Sequence, residues 1–327
     1  MLAAPGTERQ APGAGFALAG ERMRTRKEFA FIIHGSRAEL PAVRHLGDGV
    51  RGKGHRVRPR VTWEKGDAEE LAREMADRGV DTVVALGGDG TINEVVNGLD
   101  GRDVPLGIIP IGTANDFARQ VGIPLDADHA MDVILRRKPR RIDTGELNGR
   151  RFLNVSTAGI GAEATAETPA DAKESLGPLA YAITGMRKLR DLTPRRAKFT
   201  GPGFSYDGEF MLFAVGNARV TGGGTAITPF ARVTDGLLDL CIVMGVEARS
   251  DFMRLVLSVR RGEHVDDPRV CYVQLPELKV ESRQLIAVNV DGESQELRRL
   301  HYRARPCDLL IHLPRLPEEP ADVAPRL

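Results

Sequence analysis

The stretch that most constrains the fold is the glycine-rich turn GGDGTINE, which spans residues 87–94. It follows the apolar run DTVVALGG, which is typical of a buried strand, and leads into TINEVVNGL, whose apolar positions have helical spacing. A buried strand that turns through glycines into a helix indicates a parallel α/β sheet. The helix start gathers free backbone N–H groups, and the missing side chains let a phosphate approach them. The turn therefore predicts an anion site at the edge of a parallel sheet.

Asp89 is the one carboxylate among these glycines, and a carboxylate repels a polyphosphate unless a cation lies between them. Mg²⁺ binds one or two carboxylates together with phosphate oxygens and water, so we predict a metal–nucleotide site. The turn has neither the lysine of a P-loop nor the GxGxxG spacing of dinucleotide-binding folds. Taken alone, GGDG is better explained as a tight turn in which the Asp89 side chain hydrogen-bonds to the nearby backbone.

The same design recurs one strand later, in PIGTANDFA at residues 110–118. A second buried strand ends there at Gly112 and Thr113, and Asn115 and Asp116 begin a helix. Because the carboxyl ends of neighbouring parallel strands meet in one crevice, we expect both turns to face the same ligand. Asp116 has an alternative explanation as an ordinary acidic residue in the first turn of a helix.

Strand and helix patterns alternate from about residue 28 to residue 138, whereas strand patterns dominate from residue 139 onward. The first region predicts an α/β layer, in which HRVRPRVT forms an edge strand because Pro59 cannot donate a ladder hydrogen bond. In the next helix, Asp67 and Glu70 have the spacing of a capping box. The second region predicts a mostly antiparallel β domain.

Composition excludes several classes of protein. The formal net charge is +1, so no global charge attracts nucleic acid. No apolar run approaches the roughly 18 residues that span a bilayer, and prolines and charges interrupt the N-terminal segment, unlike a secretory signal. The three cysteines lack the spacing of a zinc site or a disulfide framework. We therefore expect a cytoplasmic protein.

The glycine-rich motifs resemble those of the diacylglycerol kinase catalytic family, in the form GGDGTINEVVNGL followed by LGIIPIGTANDFARQVGIP. Further segments resemble the bacterial lipid kinases of the YegS type, namely VTWEKGDAEELA, RFLNVSTAGIGAEATAETP, GGGTAITPFARVTDGLLDL and VNVDGES. The motifs stand in the family's order and cover about residues 28–315. The segment FIIHGSR departs from the pattern, because many relatives carry an Asn-Pro or Asn-Gly turn there.

The resemblance implies two domains with the active site in the cleft between them. One is an α/β nucleotide-binding domain with a mainly parallel sheet, and the other is a β-sandwich domain. The end of the chain, YRARPCDLLIHL, is expected to return to the first domain. The predicted boundaries are 1–26 for a disordered tail, 27–147 for the nucleotide-binding domain, 148–298 for the β-sandwich substrate domain, 299–316 for the returning strand and 317–327 for a second disordered tail.

The implied reaction transfers the γ-phosphoryl group of ATP to a hydroxyl of a lipid such as phosphatidylglycerol or a diacylglycerol-like acceptor, with Mg²⁺. The family's base falls on Glu293 of VDGES, where a carboxylate accepts the hydroxyl proton, and Asp89 is the second catalytic residue. Without the resemblance, Asp291 and Gly292 form a hairpin turn and Glu293 is its solvated flank. The implied nucleotide contacts are Thr62, Gly88, Asp89, Gly90, Thr91, Ile92, Asn93, Glu94 and Thr113.

The resemblance also implies a second, structural Mg²⁺ in the β domain. It falls on the Asp235 carboxylate and on the main-chain carbonyls of Arg232 and Leu237. Backbone oxygens suit a hard cation. From the sequence alone, the same residues are also explained as a type I turn before a strand.

The expected partners are ATP and a lipid at the inner face of the membrane, with no nucleic acid and no stable protein partner, in a monomer or homodimer. The basic segment GMRKLRDLTPRRAKF suits peripheral association, because each basic residue near an anionic leaflet contributes roughly 1 kcal/mol. A solvated basic face is the alternative. The residues concerned are Arg187, Lys188, Arg190, Arg195, Arg196 and Lys198.

Two alternatives remain at this point. NAD kinases share a GGDGT turn, although they lack the PIGTANDFA form. A nucleotide-binding regulator without catalysis is the other alternative, and the joint presence of Asp89, Asp116 and Glu293 argues against it.

Overall fold

A computed structural model of the chain describes residues 26–159, 194–245 and 262–314, together with Leu255, Ser258 and Val259. Its N-terminal elements are β1 (Glu28–Ile33), α1 (Pro41–Gly52), β2 (Arg56–Val61), α2 (Asp67–Asp77), β3 (Thr82–Gly87), α3 (Asp89–Gly98), β4 (Leu106–Pro110), α4 (Asp116–Gln120) and α5 (Ala127–Arg136). The strands that follow are β5 (Arg140–Leu147), β6 (Arg150–Phe152), β7 (Val155–Gly159), β8 (Arg195–Gly201), β9 (Phe204–Gly216), β10 (Leu238–Met244), β11 (Val270–Leu275), β12 (Glu277–Val290) and β13 (Glu293–Ile311).

The N-terminal layer is a parallel sheet in the order β4-β3-β1-β2. Every residue of β3 and β4 is buried, which explains their continuous apolar runs. β2 is partly exposed and lies at the end of the strand order, where Pro59 costs no ladder hydrogen bond. Among the described helices, none is long and apolar enough to cross a membrane.

The predicted capping box at the start of α2 is wrong. The helix is preceded by Gly66 in a left-handed conformation with φ 95°, and Asp67 is already its first residue. The Asp67 carboxylate turns back instead and accepts hydrogen bonds from the backbone N–H groups of Trp63 at 2.7 Å and Glu64 at 3.0 Å. Its role is therefore to close the loop between β2 and α2.

The C-terminal strands pair mainly antiparallel, with β7, β9, β10 and β11 on one side of β12 and β8 bridging β9 and β12. Their core contains a cluster of aromatic rings in edge-to-face contact. Phe199 packs at 5.7 Å from Phe210 and 5.1 Å from Phe213, measured between ring centroids. Such pairs favour the edge-to-face geometry because the ring edge is positive and the face negative.

The long strand β13 joins the two parts of the molecule. It pairs antiparallel with β12 and β5, and at its end Ile311 pairs parallel with Leu106 of β4. Leu309, Ile311 and Leu313 are buried in the same core as β3 and β4. Its pairing with β5 shifts register between Arg305 and Leu309, and Cys307 there has φ 51°. In the described part of the chain, thirteen strands form one hydrogen-bonded sheet.

A buried guanidinium fastens this junction. The Arg151 side chain is only 1% exposed, and its Nη1 lies 2.7 Å from Asp308 Oδ2 on β13. Its Nη2 donates to the carbonyl of Val96 in α3 at 2.5 Å. The Asp308 carboxylate also accepts a hydrogen bond from the Thr144 hydroxyl and forms an ion pair with Arg305, so both of its oxygens have partners. Removing a buried charge from such a pair costs far more than removing an exposed one.

We expect Arg151→Met to lower the free energy of unfolding by about 3 kcal/mol, because it leaves Asp308 and the Val96 carbonyl short of a donor. Urea unfolding followed by circular dichroism measures the change. Arg78→Ala is the control, because it breaks an exposed ion pair with Glu74 and should cost no more than about 0.5 kcal/mol. Equal losses in the two variants would contradict this role of Arg151.

Candidate active site

The two glycine turns touch each other through their backbones. A Cβ atom built on Gly112 would lie 2.4 Å from the Cα of Gly88, which is closer than real Cβ contacts. The backbone N–H of Ile111 donates to the carbonyl of Gly87 at 3.0 Å, which continues the β3–β4 pairing to the ends of the strands. Glycine is therefore required at Gly112 by close approach, and the predicted convergence of the two turns is observed.

Asp89 connects the first turn to the second helix. It is the first residue of α3, and its two carboxylate oxygens accept the backbone N–H groups of Asp116 at 3.1 Å and Phe117 at 3.2 Å. The carboxylate thus satisfies the free donors at the start of α4, which the sequence did not predict. Each oxygen has a further lone pair, so these bonds leave Asp89 able to ligate a cation.

Asp116 carries a buried oxygen without a partner. Its Oδ2 accepts the backbone N–H of Gly223 at 2.9 Å, from the triglycine loop between β9 and β10, whereas its Oδ1 is buried and makes no hydrogen bond. Burial raises the pKa of Asp116, and the nearby Asp89 carboxylate raises it further. Within a residue that is only 5% exposed, such an oxygen suits a cation ligand.

Asp291 is a third carboxylate near this point, and sequence reasoning assigned it only to a turn. The turn is confirmed, since Val290 pairs with Glu293 and Asp291 has φ 45°. Its carboxylate accepts the N–H groups of Leu153 at 2.8 Å and Asn154 at 3.2 Å. Burial raises the pKa of Asp291 to about 7, and repulsion by Asp89 contributes. Nothing in the sequence distinguishes this aspartate from an ordinary hairpin residue.

Glu293 lies between two cations at the start of β13. Its Oε1 is 3.3 Å from Lys65 Nζ, and its Oε2 is 3.5 Å from Arg150 Nε. Arg150 also contacts Glu69 of α2 at 3.0 Å. The Glu293 side chain is 28% exposed, so its carboxylate keeps access to solvent. Lys65 and Arg150 were not predicted, and they link the β12–β13 hairpin to the loop before α2.

Thr62 and Thr113 lie in different surroundings. Thr62 is buried, and its Oγ1 accepts the backbone N–H of Gly35 at 3.2 Å. A Cβ on Gly35 would lie 2.3 Å from the Thr62 carbonyl oxygen, so the departing segment FIIHGSR packs its glycine directly on Thr62. Thr113 is exposed beside Gly112.

Several predicted nucleotide contacts in the 88–94 run point into the protein. Thr91, Ile92 and Asn93 are buried, and Ile92 belongs to the hydrophobic core. The Glu94 carboxylate accepts the backbone N–H of Ala68 at 3.2 Å, near the start of α2. Gly90 is exposed, with open space where a side chain would be. The buried side chains of Thr91, Ile92 and Asn93 are therefore turned away from a ligand, and the Ile92 N–H already donates to the Gly88 carbonyl at 3.0 Å.

The predicted structural metal loop is tied to a neighbouring aspartate. Asp235 Oδ1 accepts the N–H of Leu237 at 3.0 Å, and the N–H of Gly236 donates to Asp143 at 2.7 Å. Partial burial raises the pKa of Asp235, and the Asp143 carboxylate adds to this effect. The main chain of Arg232 lies in the same loop. Asp143 is a residue that the sequence did not single out.

Across the described residues, no group of three or more His, Cys, Asp or Glu side chains is arranged to hold a metal ion. Mg²⁺ requires only one or two carboxylates, because phosphates and water complete its coordination. Asp89 and the unpartnered oxygen of Asp116 meet this requirement, so these residues fit the predicted ion.

Part of the predicted basic segment lies on β8. Arg195 donates to the carbonyl of Leu285 at 2.7 Å, Arg196 pairs with Asp207 at 3.1 Å, and Lys198 is exposed. The other three basic positions, Arg187, Lys188 and Arg190, lie outside the described residues.

Comparison with known proteins follows the same division of the chain. Residues 30–147 match the diacylglycerol kinase catalytic domain, and residues 155–312 match the YegS C-terminal NAD kinase beta sandwich-like domain. The "Probable lipid kinase YegS-like" protein of Pseudomonas aeruginosa is 39% identical over 86% of this chain and 93% of its own. Its Chromohalobacter salexigens counterpart is 39% identical over 80% and 85%, respectively. A solved structure of a diacylglycerol kinase from Bacillus anthracis aligns with a TM-score of 0.67 at 20% identity, over 89% of this chain and 98% of that one.

We expect Gly112→Ala to lower the free energy of unfolding by about 1–3 kcal/mol, because the added methyl group forces two backbones apart. Urea unfolding followed by circular dichroism measures the change. Gly90→Ala is the matched control, because its methyl group enters open space in a helix and should not lower stability. If both variants unfold like the wild type, the turns are not packed as described.

Proposed function

The chain belongs to the YegS-type lipid kinases, and we propose that it transfers the γ-phosphoryl group of ATP to a hydroxyl of a membrane lipid in an Mg²⁺-dependent reaction. Membership of the family makes it a kinase and implies a lipid and ATP as substrates. A phosphatidylglycerol or diacylglycerol-like acceptor is the finer part of the proposal. The observation that best supports the proposed phosphoryl transfer is the backbone contact of Gly88 with Gly112, which brings together two strand-end turns and two carboxylates.

We place ATP between residues 27–147 and residues 148–298. Contacts between these two regions support this position, since Gly223 donates to Asp116 and Glu293 pairs with Lys65. The backbone N–H groups at the start of the run Gly88–Glu94, before the Ile92 N–H that donates to the Gly88 carbonyl, and the hydroxyls of Thr62 and Thr113 would then bind the phosphates. The peripheral approach of the protein to the inner face of the membrane is part of the same proposal.

Asp89 and Asp116 are the residues that would hold the catalytic Mg²⁺. The ion, when bound, neutralises phosphate charge and aligns the transferred group. Burial and the nearby Asp89 carboxylate raise the pKa of Asp116, and a bound cation would offset both effects. A second, structural ion on Asp235 and the carbonyls of Arg232 and Leu237 is proposed on the chemistry of the family.

Glu293 is the proposed proton acceptor for the lipid hydroxyl. Its carboxylate is accessible to solvent, and Lys65 and Arg150 contact its two oxygens from either side. These contacts hold the side chain in one orientation, which a general base requires before proton transfer. The Asp291 carboxylate, through the Leu153 and Asn154 N–H groups, fixes the hairpin turn that presents Glu293.

Both curated relatives bear the name "Probable lipid kinase YegS-like", which supports a lipid acceptor over the NAD kinase alternative. The family also supports an active enzyme over a nucleotide-binding regulator.

We expect labelled lipid when the protein is incubated with γ-labelled ATP, Mg²⁺ and a panel of lipids in mixed micelles. Glu293→Gln should lower kcat by about 10²–10⁴-fold, because the proton acceptor is lost while the shape is kept. Glu281→Gln, at an exposed position of β12, is the control. Label on NAD instead of lipid, or full activity of Glu293→Gln, would overturn the assignment.

We expect Asp116→Asn to raise the Mg²⁺ concentration for half-maximal activity by about tenfold or more, because asparagine retains an acceptor for Gly223 but loses the ligand charge. Activity as a function of free Mg²⁺ measures this change, with Asp48→Asn on the exposed face of α1 as the control. An unchanged Mg²⁺ dependence would exclude Asp116 from the ion site.

A further inference from the structure

Trp63 is the only tryptophan in the sequence, and its side chain is almost fully in solvent. It is 93% exposed, whereas the other exposed large apolar residues in the described part of the chain are 37–43% exposed. Burying an indole ring in a non-aqueous environment is strongly favourable, and tryptophan is enriched at the interface between membrane and water. A single exposed apolar residue is common on protein surfaces. The contacts and charges around Trp63 distinguish it from such a residue.

The loop that carries Trp63 is pinned at both ends. Before it, Thr62 is buried and its N–H donates to the carbonyl of Ile33 at 3.0 Å. After it, the Asp67 carboxylate accepts the N–H groups of Trp63 and Glu64, and Gly66 makes a left-handed turn into α2. The backbone is therefore ordered while the ring projects away from the protein. An ordered loop loses little conformational entropy when its ring is inserted elsewhere.

The same loop adjoins the proposed proton acceptor. Lys65, two residues after Trp63, contacts Glu293 at 3.3 Å. A lipid hydroxyl lies at the level of the head groups, so Glu293 must come close to that plane for proton transfer to occur. A ring inserted at the head-group level beside Lys65 would bring the hairpin of Glu293 to the same depth.

The charge around Trp63 also suits an anionic membrane. The strand β2 leads into the loop with Arg56, Arg58 and Arg60, and the Lys65 side chain is 72% exposed. Arg58 pairs with Glu28, and Glu64 opposes the cations, so the local excess is positive but moderate. Each exposed cation near an anionic leaflet adds to binding.

We infer that Trp63 is an interfacial anchor that inserts into the lipid head-group region and docks the active site on an anionic membrane. The inference rests on the proposed function, because it assumes that the acceptor is a membrane lipid. The ring's binding partner in this inference is the bilayer surface. Adenine stacked on the ring is the alternative, and fluorescence distinguishes the two.

The single tryptophan provides a direct spectroscopic test on the unmodified protein. Vesicles of phosphatidylglycerol and phosphatidylcholine should shift its emission to shorter wavelength, and brominated acyl chains should quench it. ATP with Mg²⁺ and no vesicles should leave the emission nearly unchanged. A spectrum unaffected by vesicles overturns the inference, and so does a shift produced by ATP alone.

Variants at the same position test binding by cosedimentation with these vesicles. Trp63→Ala should weaken binding by about tenfold or more, and Trp63→Phe should retain most of it, because phenylalanine keeps an aromatic ring for the interface. Leu285→Ala, which removes an exposed leucine from β12, should bind like the wild type. Equal binding by Trp63→Ala and Leu285→Ala would contradict the anchor.

These measurements require no catalysis, so the two proposals can fail separately. If lipid is phosphorylated but vesicles do not change the tryptophan emission, the anchor is excluded and the kinase assignment stands. If vesicles change the emission but no lipid is labelled, the proposed acceptor is excluded and the membrane contact stands.

Discussion

The arrangement of the site depends on one close approach, that of the Gly112 backbone to the Gly88 backbone. Because neither position carries a side chain, the ends of β3 and β4 meet without a spacer. The contact brings Asp89 within hydrogen-bonding distance of the first N–H groups of α4, and so fixes the position of Asp116. Asp116 in turn receives the N–H of Gly223 from the other part of the molecule. The two glycines thus determine where three later contacts can form.

Two electrostatic environments lie side by side in this region. Burial raises the pKa of both Asp116 and Asp291, and the nearby Asp89 carboxylate raises both further. Glu293, only two residues from Asp291, contacts Lys65 and Arg150 instead. The separation matters because carboxylates that lie close together favour a bound cation, whereas Lys65 and Arg150 hold the Glu293 side chain in one orientation.

Sequence patterns predicted the local elements and the meeting of the two glycine turns, and they missed several side-chain contacts between residues far apart in the chain. The buried runs of β3 and β4 and the edge position of β2 follow from apolar patterning and Pro59, and the family assignment is confirmed. The prediction that Asp67 caps α2 was wrong because the Asp67 carboxylate instead accepts two backbone N–H groups from the preceding loop. Asp291 and the capping role of Asp89 were missed because their partners lie 137–138 and 27–28 residues away along the chain. Contacts between residues that far apart along the chain leave no repeating pattern in the sequence.

The strand β13 has a consequence for the mechanics of the enzyme. It begins at Glu293 and ends at Ile311 beside β4, so the two parts cannot rotate relative to each other without deforming it. β12 pairs with β13 as far as Arg303, and β5 pairs with it from Tyr302 onward. The two pairings overlap at Tyr302 and Arg303. A movement of one part of the molecule against the other would therefore be transmitted along β13 through this short overlap.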